Sequence, residues 1–476
     1  MTAAQAAFEK KFDELRAELG VRIDFPPEVL AAAREAAGRV AEVTAERVDR
    51  RAVPFLTVDP PGSRDLDQAL HIERAGKGFR VRYAIADVGF WVDRGGAIEA
   101  EAWRRRVTYY APDRRAPLYP PVLSEGAASL LPGQDRPAVL FTLELDSRGA
   151  LVRDSVERAL VRSRRQMSYQ EVLAEVESGE AEEVLLLLRE VGELRAEREK
   201  ERGGTSLPAR DQHVQRWAAS RLGYRVEFER PTPAEDWNAQ ISLLTGHAAA
   251  LRMMRAGVGL LRTLAPPRPE DVRRFRVVAR TLGFEWPKQQ TYADFINSLP
   301  LDHVHLEPLL WQARHVMRGA GYLAFQGGAP APEVAIHAAL AFDYSHCTAP
   351  LRRLADRYVL DLLVELARGE HPSPDEIATL AELKPVMEEA DRRAHALERR
   401  AVDLAEAWVL RGREGDRFLA TVLAAQPGWI DAQIEDPPVR ARVHTSNGAD
   451  LSPGSEVQVR LERVDAAAGA AEFELE

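Results

Sequence analysis

The chain has 476 residues, 45% apolar and 29% charged, with a net charge of −10. That length buries a sizeable core in two or three domains, and the acidic balance excludes a protein coated all over in positive charge, though not a basic groove on an acidic body. The single cysteine, Cys347, excludes an intrachain disulfide and fits a reducing cytoplasm.

Residues 4–19 and 27–43 carry apolar side chains at helical spacing, divided by Phe25-Pro26-Pro27. The first of these segments alternates charge with apolar residues and lacks an apolar run, so it reads as neither a signal peptide nor a membrane span. Two such helices cannot bury their own faces and must dock on the rest of the chain. From Val53 the pattern shifts to strands: Phe55–Val58, Leu66–Ile72 and Phe79–Ile85, with a turn at Gly76-Lys77-Gly78, then Val139–Leu145 and Leu151–Val161. From about 168 to 412 the pattern is largely helical, including 181–201, 236–256, 268–282, 350–368 and 374–412, with a loop between helices at Gly327–Pro332. The tail returns to strands at Phe418–Ala424, Trp429–Ile434, Val439–Val443, Glu456–Val464 and Glu472–Leu475, the size of an OB barrel. These spans predict an α+β fold in three parts: an N-terminal helical segment (1–50), a mixed domain of strands followed by helices (51–412) and a C-terminal OB-like β-barrel (413–476).

Basic residues cluster at Arg104–Arg106, Arg114–Arg115, Arg162 with Arg164–Arg165, Arg352–Arg353 and Arg399–Arg400, while lysines number six. A GC-rich genome accounts for that arginine bias as well as a nucleic-acid groove does.

The most informative stretch is Thr57-Val-Asp-Pro-Pro-Gly-Ser-Arg-Asp-Leu-Asp-Gln-Ala-Leu70. A strand delivers Asp59, Pro-Pro-Gly reverses the chain, and the next strand opens with Asp65 and Asp67. Residues two apart on a strand share a face, so the three carboxylates are expected to converge. Carboxylates that close repel unless a cation sits among them, and oxygen ligands without His or Cys point to Mg²⁺ or Mn²⁺. A solvated acidic turn fits the same spacing. Calcium also takes oxygen ligands, but no EF-hand spacing follows.

This stretch resembles the signature of the RNB-type exoribonucleases, the ribonuclease II and ribonuclease R family. Further segments resemble the family in the same order: Tyr83–Val92, Thr108–Arg114, Leu118–Pro120, Leu123–Gly133, Thr348–Arg353 and Ala396–Arg400. The likeness covers roughly 50–410 plus the barrel-sized tail. It implies 3′→5′ hydrolysis of single-stranded RNA to nucleoside 5′-monophosphates with water and two metal ions. Carried over, Asp59, Asp65 and Asp67 match metal-site aspartates, Asp67 most directly catalytic, and Arg352 matches an arginine that stabilises the reacting phosphate. Tyr110 matches an aromatic that stacks on the 3′-terminal base, Tyr169 a tyrosine near the terminal ribose, and Glu398 a glutamate near the 3′ nucleotide. Together with the lone cysteine and the lack of an apolar span, the expectation is a cytoplasmic monomer whose partner is single-stranded RNA and not a membrane.

Three departures stand out. Gln68 replaces the fourth aspartate of the usual acidic set; its carbonyl oxygen is still a ligand for Mg²⁺, with one negative charge fewer. Asn238 stands where relatives often carry a glutamate that supports ribose recognition, and Leu207 where they carry a second aromatic clamp. Fifty N-terminal residues of helical pattern cannot form the two cold-shock barrels of longer relatives. Because Gln68 breaks the acidic set, a non-catalytic RNA-binding protein of the same fold is the second reading. A metal-dependent phosphoesterase of small molecules is the third, opposed by the barrel-sized tail and Tyr110.

Overall fold

The computed structural model describes residues 3–217, 219–220, 222–445 and 451–476. Two helices open it, α1 (Ala3–Glu18) and α2 (Pro27–Ala37), followed by β1 (Arg47–Asp49), β2 (Phe55–Asp59), β3 (Gln68–Ala75), β4 (Gly78–Ala86), α3 (Ala97–Arg105), β5 (Asp135–Leu145) and β6 (Leu151–Ser168). The six strands form one sheet in the order β1-β6-β2-β3-β4-β5, and β6 pairs again with β5. At 18 residues, β6 is long enough to run antiparallel to β5 with one half and parallel to β2 with the other. The sheet therefore curls on itself and brings the end of β2 next to the end of β6. Gly76, at φ +60°, takes the left-handed turn between β3 and β4 that a side chain would strain.

The helical body follows: α4 (Tyr169–Ser178), α5 (Glu183–Glu201), α6 (Pro233–Ala256), α7 (Pro269–Thr281), α8 (Tyr292–Asn297), α9 (Leu306–Ala313), α10 (Pro332–Ala335), α11 (Leu354–Ala367) and α12 (Pro374–Leu410). Serine or threonine with a glutamate three residues on closes a capping box at Ser168, Thr232 and Ser373, which fixes where α4, α6 and α12 begin. One continuous core runs from Phe8 to Trp408 and includes α1, α2, the sheet, α5, α6, α11 and α12. A smaller core gathers α7, α8 and α9 around Phe275, Phe295 and Leu309.

The tail forms a closed five-stranded barrel of 417–426, 429–434, 439–444, 456–465 and 470–475, with its own core around Val422, Ile434, Leu461 and Phe473. All five expected tail strands are present, as are the α+β class and the OB-like barrel.

Several expectations need correction. The helix expected over 27–43 stops at Ala37, where the Gly38 N–H donates to the Glu35 carbonyl, and Val40 and Val43 are exposed beyond it. The 168–412 region is largely helical, as expected, but strands that the pattern did not indicate interrupt it. It holds a hairpin, β7 (Asp211–Arg216) with β8 (Tyr224–Glu229), the pair β9 (Gly259–Thr263) with β10 (Gly321–Phe325), and a short pair, β11 (Ile336–His337) with β12 (Phe342–Asp343). The loop at 327–332 accordingly joins β10 to α10 rather than two helices. The helix expected from 350 begins at Leu354, so Arg352 lies on a turn.

Candidate active site

Asp59 ends β2, and the parallel register of β2 with β6 sets it opposite Ser168, the residue that caps α4. Tyr169 begins that helix and so lies beside Asp59; burial, helped by the Asp59 charge, raises the phenol to about 12. The Asn238 amide of α6 faces the same phenol.

The strand expected over 66–72 begins only at Gln68, so Asp65 and Asp67 sit in the loop before it. What orients them is Leu66, which is fully buried between them. Its backbone N–H donates to Ser129 Oγ at 3.0 Å, and its carbonyl accepts Leu130 N at 3.0 Å. Ser129 Oγ in turn donates to the Arg64 carbonyl at 2.6 Å. The Ser129-Leu130 segment thus pins the acidic loop.

Asp67 is 1% exposed and accepts two hydrogen bonds from the turn before α11: Leu351 N on Oδ1 at 2.7 Å and Arg352 Nε on Oδ2 at 2.8 Å. Burial pushes its carboxyl up to about 7, with Arg352 and the Leu351 amide pulling the other way. Asp65 is held by Arg115, Nη1 to Oδ1 at 2.6 Å, and Arg115 is shared with Glu125 at 2.8 Å. The Asp59 carboxylate accepts no hydrogen bond from the described residues. Burial raises it to about 6, Arg352 lowers it, and Asp65 raises it further. Gln68 turns its amide to Tyr83 and Thr348: Tyr83 Oη donates to Oε1 at 2.8 Å, and Nε2 donates to the Thr348 carbonyl.

The turn bearing Arg352 is anchored on every side. Ala349 N donates to Asp356 at 2.8 Å, Thr108 N donates to the Arg352 carbonyl at 2.9 Å, and Thr348 Oγ1 lies 2.9 Å from Ser242 Oγ. Gly246 on α6 admits this segment, because a Cβ there would come within 2.1 Å of the Tyr344 ring.

These elements surround a cavity of about 370 Å³ lined by Gln68, Tyr110, Tyr169, Asn238, Ser242, Thr348 and Arg352, among others. Tyr110 stands at its rim, 49% exposed. Tyr110, Tyr169, Asn238 and Arg352 therefore share one cavity. Glu398 does not line it; it lies on α12 beyond Tyr110, in a neighbouring 190 Å³ cleft with Gln212 and His213. That cleft shares Glu398, Gln212 and His213 with a 1050 Å³ cavity walled by α9, α12 and the barrel. Leu207 packs against the small core and lines none of the three. Arg115, Tyr83 and Thr348 are the site contacts that sequence reading missed. Arg115 stood in a basic cluster and Thr348 in a quoted motif, but their partners are distant in sequence.

The donor set, carboxylates without nitrogen or sulfur, fits a hard divalent cation. Among the described residues, though, no three His, Cys, Asp or Glu side chains lie close enough to hold one ion, and guanidinium groups engage Asp65 and Asp67.

Fold and site define an α+β protein with a buried aspartate bonded to a half-exposed arginine beneath a small cavity, and a separate OB-like barrel. The chain belongs to the RNB domain family, which its residues 47–369 match; residues 416–476 match the RNase II-type exonuclease C-terminal S1 domain. It is 26% identical over 463 residues to ribonuclease R of Aquifex aeolicus, covering 90% of this chain and 65% of that protein. It is 27% identical over 435 residues to ribonuclease R of Escherichia coli, covering 85% and 52%. The chain thus spans about half to two thirds of these relatives. In fold it is similar to the apo form of Mycoplasma genitalium RNase R, with a TM-score of 0.86, 18% identity and coverage of 98% of this chain and 78% of that one. It is also similar to yeast Ssd1, described as a pseudonuclease, with a TM-score of 0.72, 16% identity and coverage of 96% and 59%. Among the described residues no helix is long and apolar enough to cross a membrane.

Proposed function

We propose that this protein hydrolyses single-stranded RNA from its 3′ end, one nucleoside 5′-monophosphate at a time. The observation that carries the reading is Asp67, 1% exposed and bonded to Arg352, beneath a cavity whose other walls include Tyr110, Tyr169 and Asn238. Tyr110 is the stacking surface for the terminal base, since an exposed ring at a cavity rim holds any base by its π-face. Tyr169 and Asn238 face the ribose, where a hydroxyl and an amide both donate to and accept from a 2′-OH. Arg352 stabilises charge on the phosphate, a task for which a planar guanidinium is suited. Asp59, Asp65 and Asp67 would hold Mg²⁺ or Mn²⁺, two ions by the family's pattern, once Arg115 and Arg352 release Asp65 and Asp67; the ions would supply Lewis-acid polarisation of the phosphoryl group and a more acidic water. A water oxygen joins phosphorus, the 3′ oxygen of the preceding nucleotide departs with its electron pair and takes up a proton, and the shortened RNA keeps a 3′-OH.

The second reading, an RNA-binding protein without turnover, draws on Gln68 and on the guanidinium groups that engage Asp65 and Asp67. The full chain incubated with 3′- and 5′-labelled single-stranded RNA and Mg²⁺ separates the two. Nucleoside 5′-monophosphates lost on chelation of the metal are the expected result. Bound but intact RNA would establish the second reading, and hydrolysis confined to small phosphodiesters would point to a phosphoesterase.

A further inference from the structure

Gln68 directly follows the acidic loop, and residue type alone made it a fourth metal ligand. Its contacts describe another task. It opens β3 paired with Ile85 of β4. Its Nε2 donates to the Thr348 carbonyl and its Oε1 accepts the Tyr83 hydroxyl at 2.8 Å. A carbonyl oxygen only accepts, so the N–H end of the amide must face Thr348, and Oε1 is left for Tyr83. Both partners are buried, Tyr83 at 1% and Thr348 at 2% exposure. Thr348 begins the turn that ends in Arg352, so this amide links β3 and β4 to the segment that aims the guanidinium.

We propose that Gln68 is a positioning residue rather than a metal ligand: its amide bridges Tyr83 and Thr348 and fixes the turn that carries Arg352. The inference rests on the reading of Arg352 as the phosphate-contacting arginine. A carboxylate at 68 has no proton to give the Thr348 carbonyl, and it would set acceptor against acceptor in a half-buried place beside Asp67. Aspartate is also one methylene shorter and cannot reach both partners at once. The chain's departure from the usual acidic set is therefore built into its hydrogen bonding, and restoring the carboxylate damages the site.

The test compares the parent with Gln68→Ala, Gln68→Asp and Tyr83→Phe. Gln68→Ala is expected to lower kcat on single-stranded RNA roughly ten- to a hundredfold, the scale of leaving a buried acceptor unpaired. KM for RNA stays within about twofold, a split that general loss of folded protein would not produce. Mn²⁺ affinity without RNA, read by electron paramagnetic resonance, is unchanged in Gln68→Ala. Gln68→Asp is expected to lower kcat without reducing the metal concentration for half-maximal rate. Tyr83→Phe removes a single hydroxyl, lowers kcat in the same direction, and carries the test if the alanine variant does not fold. A tenfold loss of Mn²⁺ affinity in Gln68→Ala, or a reduced metal requirement in Gln68→Asp, overturns the proposal. If the parent hydrolyses no RNA, the proposed function fails, while the Mn²⁺ comparison still reports on position 68.

Discussion

Removing Arg16 should loosen the loop that presents Tyr110. α1 docks through Phe8 and Phe12, whose rings pack on Tyr224 and Trp408 at centroid distances of 5.2 to 6.1 Å. From this helix Arg16 sends Nη1 and Nη2 to the two oxygens of Asp113 at 2.7 and 2.6 Å, and Nη2 also reaches Asp13 at 2.7 Å. The two side chains are 3% and 6% exposed. Asp113 belongs to the loop closed by Tyr109 and Ala116, which exchange backbone hydrogen bonds at 2.9 and 2.8 Å. Arg16→Ala strands the Asp113 carboxylate with Arg114 Nε 3.6 Å away. Breaking one side of a buried pair costs about 3–5 kcal/mol. Where the cost is met by local opening of the loop, Tyr110 loses its fixed place, and base stacking worth about 1–3 kcal/mol goes with it. RNA affinity should then fall roughly five- to a hundredfold. Urea unfolding, hydrogen exchange across 109–116 and anisotropy of a labelled single-stranded RNA read the three effects. Arg16→Met with Asp113→Leu, which replaces the charges by apolar groups, should recover most of the stability. The reasoning is refuted if Arg16→Ala unfolds within about 1 kcal/mol of the parent and binds RNA equally well.

Asp67→Asn should abolish turnover and leave RNA binding near the parent value, because the lost charge belongs to the chemistry rather than to the grip; hydrolysis within a few-fold of the parent would remove Asp67 from the catalytic set. Glu406 lies at the seam of α12, β7 and the barrel, 7% exposed, accepting hydrogen bonds from Gln212 Nε2 and Arg440 N, and burial pushes it up to about 8. A carboxyl raised in the folded state contributes stability below its ordinary value of 4.5 and loses it as pH climbs towards 8, here up to about 4 kcal/mol. Glu406→Gln should flatten that decline, and parallel pH profiles of the urea midpoint for parent and variant would exclude Glu406 as its source. Matched RNA and DNA oligonucleotides test the sugar site: DNA should bind yet be cleaved poorly, Tyr169→Phe should narrow the difference more than Asn238→Ala, and equal cleavage by the parent would contradict the assignment.

The parts of the fold legible in the sequence are those where one face is buried and the other is not. The tail strand over 439–443 alternates strictly, Val-Arg-Ala-Arg-Val, because the barrel core takes every second residue there. The hairpin of β7 and β8 was missed for the opposite reason. Asp-Gln-His-Val-Gln-Arg over 211–216 offers little apolar contrast, and its burial comes from α12 and the groove beside it rather than from its own pattern. The start of α11 was misplaced by four residues because nothing in Pro350-Leu-Arg-Arg353 breaks a helix locally. What ends it there is a long-range contact, the bridge between Arg353 and Val107.

In the site, residue identity was legible and geometry was not. The order Asp59, Asp65, Asp67, Gln68 marks a strongly acidic loop in any fold, yet its meaning depends on partners up to 285 positions away, the separation of Asp67 from Arg352. Strand logic placed Asp65 and Asp67 on one face. The loop reaches its arrangement by burying Leu66 between them and hanging it on Ser129, a device with no local signature. The consequence is chemical. An aspartate on a strand would be free to turn to solvent, whereas Asp67 is sealed and can exchange Arg352 only for another cation. Its raised carboxyl follows from that enclosure. So does the choice at position 68: next to a carboxylate already costly to keep charged, an amide that is satisfied at both ends adds no further repulsion, and a fourth carboxylate would.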